Sequence, residues 1–156
     1  MESLLKRLVR AKVEFVAVGG FAAMIHGAVR LTLDLDVCAE FSQQNLARLI
    51  AALEGTNPRF QPPARRPMPT DPEELAGFRN LSLTTDLGEL DVRSEIAGIG
   101  RYEQPLAASV EVELEGLRFR TLSLDALIES KTALHRPKDL DALEELRTIR
   151  ERLASD

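Results

Sequence analysis

The sequence predicts an α+β fold: a central mixed sheet with helices packed on it, ending in C-terminal helices. Three observations predict it. Leu33 to Ala39 alternates apolar and acidic residues, as a half-buried strand does. Segments around Asp86-Leu87-Gly88 and around Glu115-Gly116 each read as a pair of strands about a turn. The first residues, and those from Ser123 onward, instead repeat apolar side chains at helical spacing. Strands and helices of this kind bury their apolar faces against one another.

In chain order, Leu4, Leu5, Leu8, Val9 and Ala11 form the apolar stripe of an opening helix. Glu14 to Val18 is a short strand ending at Gly19-Gly20, and Phe21 to Ile25 a helix closing near Gly27. After the Leu33–Ala39 strand, Ser42 caps a helix with Leu46, Leu49, Ile50 and Leu53 on one face. Pro58 to Pro72 is rich in proline, has little periodicity and is expected as a loop. Asn80–Thr85 and Glu89–Ser94 are strands, as are Val110–Leu114 and Leu117–Thr121. Ser123 caps a helix running to about His135, and Pro137 starts the last helix, with Leu140, Leu143, Leu146, Ile149 and Leu153 directed inward. Residues 1–156 are expected as one domain, with 123–154 packed on it as C-terminal helices.

Bulk properties bound the function. With 44% hydrophobic and 29% charged residues, the chain has an ordinary soluble balance. No apolar run reaches the roughly 18 residues of a membrane span, and the N-terminus lacks the pattern of a signal peptide. A cytoplasmic location without membrane association is the expectation. Cys38 is the single cysteine, so neither an internal disulfide nor a cysteine-rich zinc site is available. The net charge of -5 argues against a broad basic face for nucleic acid but leaves room for a local basic groove. Arg59, Arg65 and Arg66 form one basic cluster and Arg136 and Lys138 another; each either holds phosphates or is a set of solvated loop charges.

The chemistry is concentrated in the strand around Asp34. Side chains alternate across a strand, so Asp34 and Asp36 share one face and Leu33, Leu35 and Val37 the other. Two adjacent carboxylates repel unless a cation lies between them. Magnesium favours a site of one or two carboxylates, waters and substrate phosphates. Asp91 repeats the pattern, sharing a face with Glu89 and Arg93. If its strand lies beside the first, three carboxylates can hold two metal ions, or hold one and take a proton from an attacking hydroxyl. The alternative is a merely exposed acidic strand face. Upstream, Gly19-Gly20 sits between a strand and a helix, where glycine lets backbone approach a phosphate.

Together, Gly19-Gly20-Phe21-Ala22, His26-Gly27, Arg30, Thr32, Asp34-Leu35-Asp36 and the later Gly88-Glu89-Leu90-Asp91-Val92 resemble the signature of minimal nucleotidyltransferases. These belong to the polymerase-β-like superfamily, near the AbiEii/MenT-type toxins. Ser123 to Ile128 with Lys131, then Arg136-Pro137-Lys138-Asp139, resemble that family's C-terminal helices. The resemblance implies a polymerase-β-like nucleotidyltransferase fold and an enzyme using a nucleoside triphosphate with Mg2+ or Mn2+. Gly19 and Gly20 would cradle the triphosphate, Asp34 and Asp36 would bind metal ions, and Asp91 would bind the catalytic metal and help activate an acceptor hydroxyl. Catalysis would then be mostly positioning and charge stabilisation. The acceptor is open: RNA such as tRNA, a protein, or a small molecule. By resemblance alone, a toxin role in a toxin–antitoxin or phage-defence system, with an antitoxin partner, is also expected. One departure is Phe21, where classical members of the superfamily place a serine.

Lys131 lies on the inward stripe marked by Leu124, Leu127, Ile128 and Leu134, so it either meets an anion such as the triphosphate or snorkels outward. Arg30 reaches a phosphate or pairs with Asp34. Thr32 suits a strand, His26 caps or packs a helix end, His135 is exposed and Cys38 is a small buried strand residue. Arg136, Lys138 and Asp139 dress a helix N-terminus, unless Lys138 reaches an acceptor. Two further readings stand beside an active enzyme. One is a catalytically silent relative that binds a nucleotide or a protein partner; the other, a plain structural domain, explains neither Gly19-Gly20 nor Lys131.

Overall fold

The computed structural model describes residues 2–29 and 34–155. Arg30 and Thr32 lie outside the described residues. Helix α1 (Glu2–Arg10) leads into strand β1 (Phe15–Ala17), helix α2 (Gly19–Ile25) and strand β2 (Asp34–Ala39). Helix α3 (Gln43–Ala52) is capped as expected, Ser42 Oγ accepting from the Asn45 amide at 3.2 Å. Strand β3 (Arg59–Phe60), helix α4 (Pro72–Leu75) and strands β4 (Asn80–Thr85) and β5 (Gly88–Arg93) follow. A small hairpin, β6 (Glu95–Ile96) and β7 (Gly100–Arg101), precedes helix α5 (Glu103–Ala107). Strands β8 (Ser109–Leu114) and β9 (Leu117–Leu122), helix α6 (Leu124–Leu134), a 3-10 turn at Pro137–Asp139 and helix α7 (Leu140–Ser155) complete the chain.

The described strands form a seven-stranded mixed sheet in the order β3-β4-β5-β2-β1-β9-β8, beside the separate β6-β7 ribbon. Strands β2 and β5 are parallel, as are β1 and β9; the other neighbours are antiparallel. Strand alternation gives the sheet two different faces. On one, Leu35, Val37, Leu81, Leu83, Leu90 and Val92 pack with Leu4, Leu5 and Leu8 of α1 and Leu46 and Leu49 of α3. Each such leucine contributes about 2 kcal/mol by leaving water. On the other face, Val16, Val18 and Leu122 are covered by Leu124, Leu127 and Ile128 of α6 and Leu143 and Leu146 of α7. That cover stops at β1 and the end of β2. Over β2, β5 and β4 the same face presents Asp34, Asp36, Glu89, Asp91, Arg93, Asn80, Ser82 and Thr84.

Two expectations are corrected. The proline-rich segment is not only a loop: Phe60 donates to Arg66 O at 2.8 Å and Gln61 to Ser82 O at 3.0 Å, which makes β3 an edge strand. At the end of the sheet the outer side of β3 is met only by its own returning segment, so the prolines beside it interrupt no ladder with another long strand. In α7, Leu143 and Leu146 are buried and Ile149 packs beside them, but Leu140 and Leu153 are 61% and 63% exposed. The inward row begins with buried Asp139 in the preceding 3-10 turn, which rotates Leu140 outward. Leu134, at the end of α6, is likewise 39% exposed.

Candidate active site

The parallel register of β2 and β5 sets Asp34 beside Glu89 and Asp36 beside Asp91. Neighbouring strands lie about 4.8 Å apart, so each pair places two carboxyl groups side by side on one sheet face. The expected juxtaposition of Asp34, Asp36 and Asp91 is therefore present. Strand β4 extends the rows, with Ser82 opposite Asp91 and Thr84 opposite Glu89. The Asp36 carboxyl is pushed up to about 7, first by burial and then by the charge of Asp91, with Arg93 opposing both. Asp36 Oδ1 is buried and has no hydrogen-bond partner among the described residues. Glu89 is also raised, chiefly by a hydrogen bond with Asp34. The β5 pattern placed Glu89 and Arg93 on the face of Asp91, but only the strand pairing gives them neighbours.

The Gly19-Gly20 turn closes over Asp36. Val18 N–H donates to Asp36 O at 2.9 Å, stitching the turn to β2. Gly19 has φ +63, and a Cβ built there would fall 2.4 Å from Asp36 Oδ2. Only glycine lets the backbone lie this close to the carboxylate. Phe21, at the position of the superfamily serine, is buried and stacks on Phe119 at 6.2 Å, so it serves the core on the opposite face.

Between this turn and α6 lies a cleft of about 180 Å³, lined by Gly19, Gly20, Asp36, Arg93, Lys131 and Arg136 among others. Lys131 faces inward, as its stripe predicted, with its side chain 17% exposed. Its partner is Asp139, at 3.4 Å from Lys131 Nζ. Arg136 also grips Asp139, Nε to Oδ2 at 2.5 Å and Nη2 to Oδ1 at 3.2 Å. These bonds, those from Arg136 first, hold the Asp139 carboxyl below its ordinary range although it is buried. Asp139 thus ties two cations to the cleft wall. Of the two readings the sequence leaves for Arg136, a phosphate-holding cation or a solvated charge, neither includes this pairing: Arg136 lines the cleft and is bonded to Asp139.

Asp139→Asn should lower stability by about 1–3 kcal/mol at pH 7, the cost of an underpaired buried polar group. Because the folded carboxyl titrates below its unfolded value of 3.8, this contribution is present above that pH and lost as pH falls through the folded value. Urea unfolding of both proteins at neutral and acid pH checks this, and a difference that persists unchanged in acid refutes it.

The remaining candidates are structural. His26 Nε2 donates to Leu122 O at 2.7 Å, joining the end of α2 to β9. Cys38 is fully buried and its thiol is pushed up to about 12, mainly by burial, so it is not a nucleophile. His135 is exposed and ends α6 at φ 49. Arg59 pairs with Asp86 at 3.5 Å and Arg66 lies over the Phe60 ring at 5.2 Å, away from the cleft. Among the described residues, no three His, Cys, Asp or Glu side chains converge closely enough to hold an ion as placed. The donor set nevertheless suits a hard divalent cation: adjacent carboxylates, one with a buried oxygen that lacks any donor.

The family profile described as nucleotidyltransferase of unknown function (DUF6036) matches residues 1–153. No curated protein sequence matches the chain. Among solved structures, a protein from Thermotoga maritima described provisionally as a nucleotidyltransferase matches with a TM-score of 0.53 and 16% identity. The match covers 99% of this chain and 91% of that one. At such identity the likeness is one of fold, and it agrees with a central mixed sheet flanked by helices. With the profile spanning nearly its whole length, the chain belongs to this nucleotidyltransferase family.

Proposed function

We propose that the protein transfers a nucleoside monophosphate from a nucleoside triphosphate to an acceptor hydroxyl. The observation that carries this reading is Asp36 set in register beside Asp91, with its Oδ1 buried and unpartnered among the described residues and its Oδ2 against the Gly19 backbone. A site that buries mutually repelling carboxylates is costly unless a cation compensates them. In this reading Asp34, Asp36 and Asp91 hold Mg2+ or Mn2+. Such an ion supplies charge neutralisation to the phosphate oxygens and lowers the pKa of a bound hydroxyl.

Gly19 and Gly20 bring backbone to the triphosphate, and Lys131, with Arg30 from outside the described residues, offsets its charge. Asp91 takes the acceptor's proton. The acceptor oxygen bonds to the α-phosphorus as the bond from that phosphorus to the bridging oxygen breaks, and pyrophosphate leaves with the electron pair. The proposal takes residues 1–156 as a single nucleotidyltransferase domain. The acceptor classes are RNA such as tRNA, a protein, or a small molecule. A cytoplasmic toxin with an antitoxin partner is the biological setting we favour, on resemblance. No helix among the described residues is long and apolar enough to cross a membrane.

Calorimetric titration with each of the four nucleoside triphosphates, with and without magnesium, tests the reading. The wild type should bind one or more of them only with magnesium, and Asp34→Asn/Asp36→Asn should lose that binding. Absence of nucleotide binding under every condition would overturn it in favour of a silent relative that binds a protein partner.

A further inference from the structure

A second groove, of about 440 Å³, opens where β4 begins and β5 ends. It is lined by Arg79, Asn80, Arg93 and Glu95 and by part of the β6–β7 hairpin, Gly98 and Gly100 included. Arg93, Glu95, Ile96 and Ala97 line both this groove and the cleft at Asp36, so the two meet at Arg93. The hairpin wall is fixed: Gly98 has φ +77, and a Cβ there would fall 2.6 Å from Ala133 Cβ of α6. Three cationic positions cluster here in a chain of net charge -5. The Arg79 and Arg93 side chains are exposed and make no ion pair or hydrogen bond among the described residues, although the Arg93 charge acts on Asp36. Arg101, the third, stands opposite Glu95 across the hairpin, so the groove's one carboxylate has a cation in register.

We infer that this groove receives the acceptor, and that the acceptor carries a phosphate held by Arg79 and Arg93. The inference rests on the transferase reading above and narrows its acceptor. Geometry connects the two sites. Arg93 and Asp91 share a face of β5 two residues apart, a distance of about 6.6 Å along the strand. A phosphate at Arg93 therefore sets a hydroxyl of the same molecule, a few bonds away, beside the carboxylate that takes its proton. In the transferase reading the triphosphate draws on Lys131, which lines the cleft on its α6 side beside Arg136. Arg79 lies only in the outer groove, so it separates the two functions. In the transfer, the acceptor's phosphate stays intact: its hydroxyl oxygen gains the α-phosphorus, its proton passes to Asp91, and pyrophosphate departs.

The test uses a fluorescein-labelled single-stranded oligoribonucleotide in anisotropy titrations over a range of salt, with ribose 5-phosphate and inorganic phosphate as competitors. Arg79→Ala should weaken oligonucleotide binding about tenfold and reduce the salt slope by about one, while triphosphate binding with magnesium stays within twofold of wild type. Arg79→Lys should recover part of the loss. Competition by ribose 5-phosphate at equal concentration would identify a small phosphorylated acceptor, and oligonucleotide binding that neither ribose 5-phosphate nor inorganic phosphate displaces would identify a strand; both support the groove. Equal oligonucleotide and ribose 5-phosphate binding by wild type and Arg79→Ala would overturn it. Loss of triphosphate binding in the wild type would instead defeat the transferase reading, since that titration does not involve Arg79.

Discussion

Asp36→Asn is expected to reduce nucleotide transfer by about 10²–10³-fold and yet to stabilise the metal-free protein at pH 8. The two effects have one origin. Asp36 is partly buried beside Asp91, and its carboxyl titrates near 7 rather than 3.8. A carboxyl whose folded pKa is raised favours the fold below its unfolded value and loses that advantage as pH rises to the folded one. The window is therefore from 3.8 to about 7. The full shift corresponds to about 4 kcal/mol at 1.36 kcal/mol per unit, and solvent at this half-open site reduces it to about 1–2 kcal/mol. Above pH 7 the wild type bears this cost and the asparagine variant does not. Below pH 4 the two should be alike. Magnesium should raise the melting temperature of the wild type at pH 8, because it binds only the folded state, and leave the variant unmoved. Melting curves at pH 4 and pH 8 in chelator, then with magnesium, decide the matter. A variant less stable than wild type at pH 8 in chelator would show that the carboxylates are held by interactions other than a missing cation.

Gly19→Ala carries the second large expected effect. The methyl group meets two obstacles: a left-handed backbone at φ +63, and Asp36 Oδ2 at 2.4 Å. The first costs about 1–2 kcal/mol. The second forces either the turn or the carboxylate to move, and Val18 N–H is bonded to the Asp36 carbonyl, so the turn is not free to slide. Together they should cost about 2–4 kcal/mol and weaken triphosphate binding at least about tenfold. Gly116 provides the comparison, with φ +82 and nothing within 4 Å of a built Cβ. Gly116→Ala should pay the backbone strain alone. Urea unfolding of the two variants separates strain from crowding. Equal losses would mean that Asp36 yields easily to the added methyl, and that the closeness of Gly19 is not a constraint.

Much of this site was legible before any fold was known. Period-two alternation put Asp34 with Asp36, and Asp91 with Glu89 and Arg93, because the geometry of a strand leaves no other choice. Helical spacing likewise turned Lys131 inward. What that pattern lacked was the identity of neighbours. Lys131 needed an anion, and the chain itself supplies one in Asp139, which two cations neutralise at the start of the last helix. Helical spacing also directed Leu140 and Leu153 inward, where the structure exposes them. Periodicity ranks faces of a helix but does not say how far a neighbour extends or how a preceding 3-10 turn rotates the stripe. The edge strand at Arg59–Phe60 was hidden because prolines speak against a strand, and only a sheet edge excuses them.

Residue types, their alternation and the break at Gly19-Gly20 follow from local geometry over a few residues and are written in the chain. Long-range pairing supplies what local geometry lacks. Parallel pairing of β2 with β5 joins residues more than fifty positions apart, and it alone sets Asp36 against Asp91 rather than against Glu89. A slip of one residue would have sent one carboxylate into the leucine core, so burial of the opposite face fixes the register. The apolar cover of α6 and α7 reaches β9, β1 and the end of β2 and goes no further, which leaves the carboxylate rows uncovered. Where a helix stops covering a sheet is a property of packing, and no local pattern in the chain encodes it.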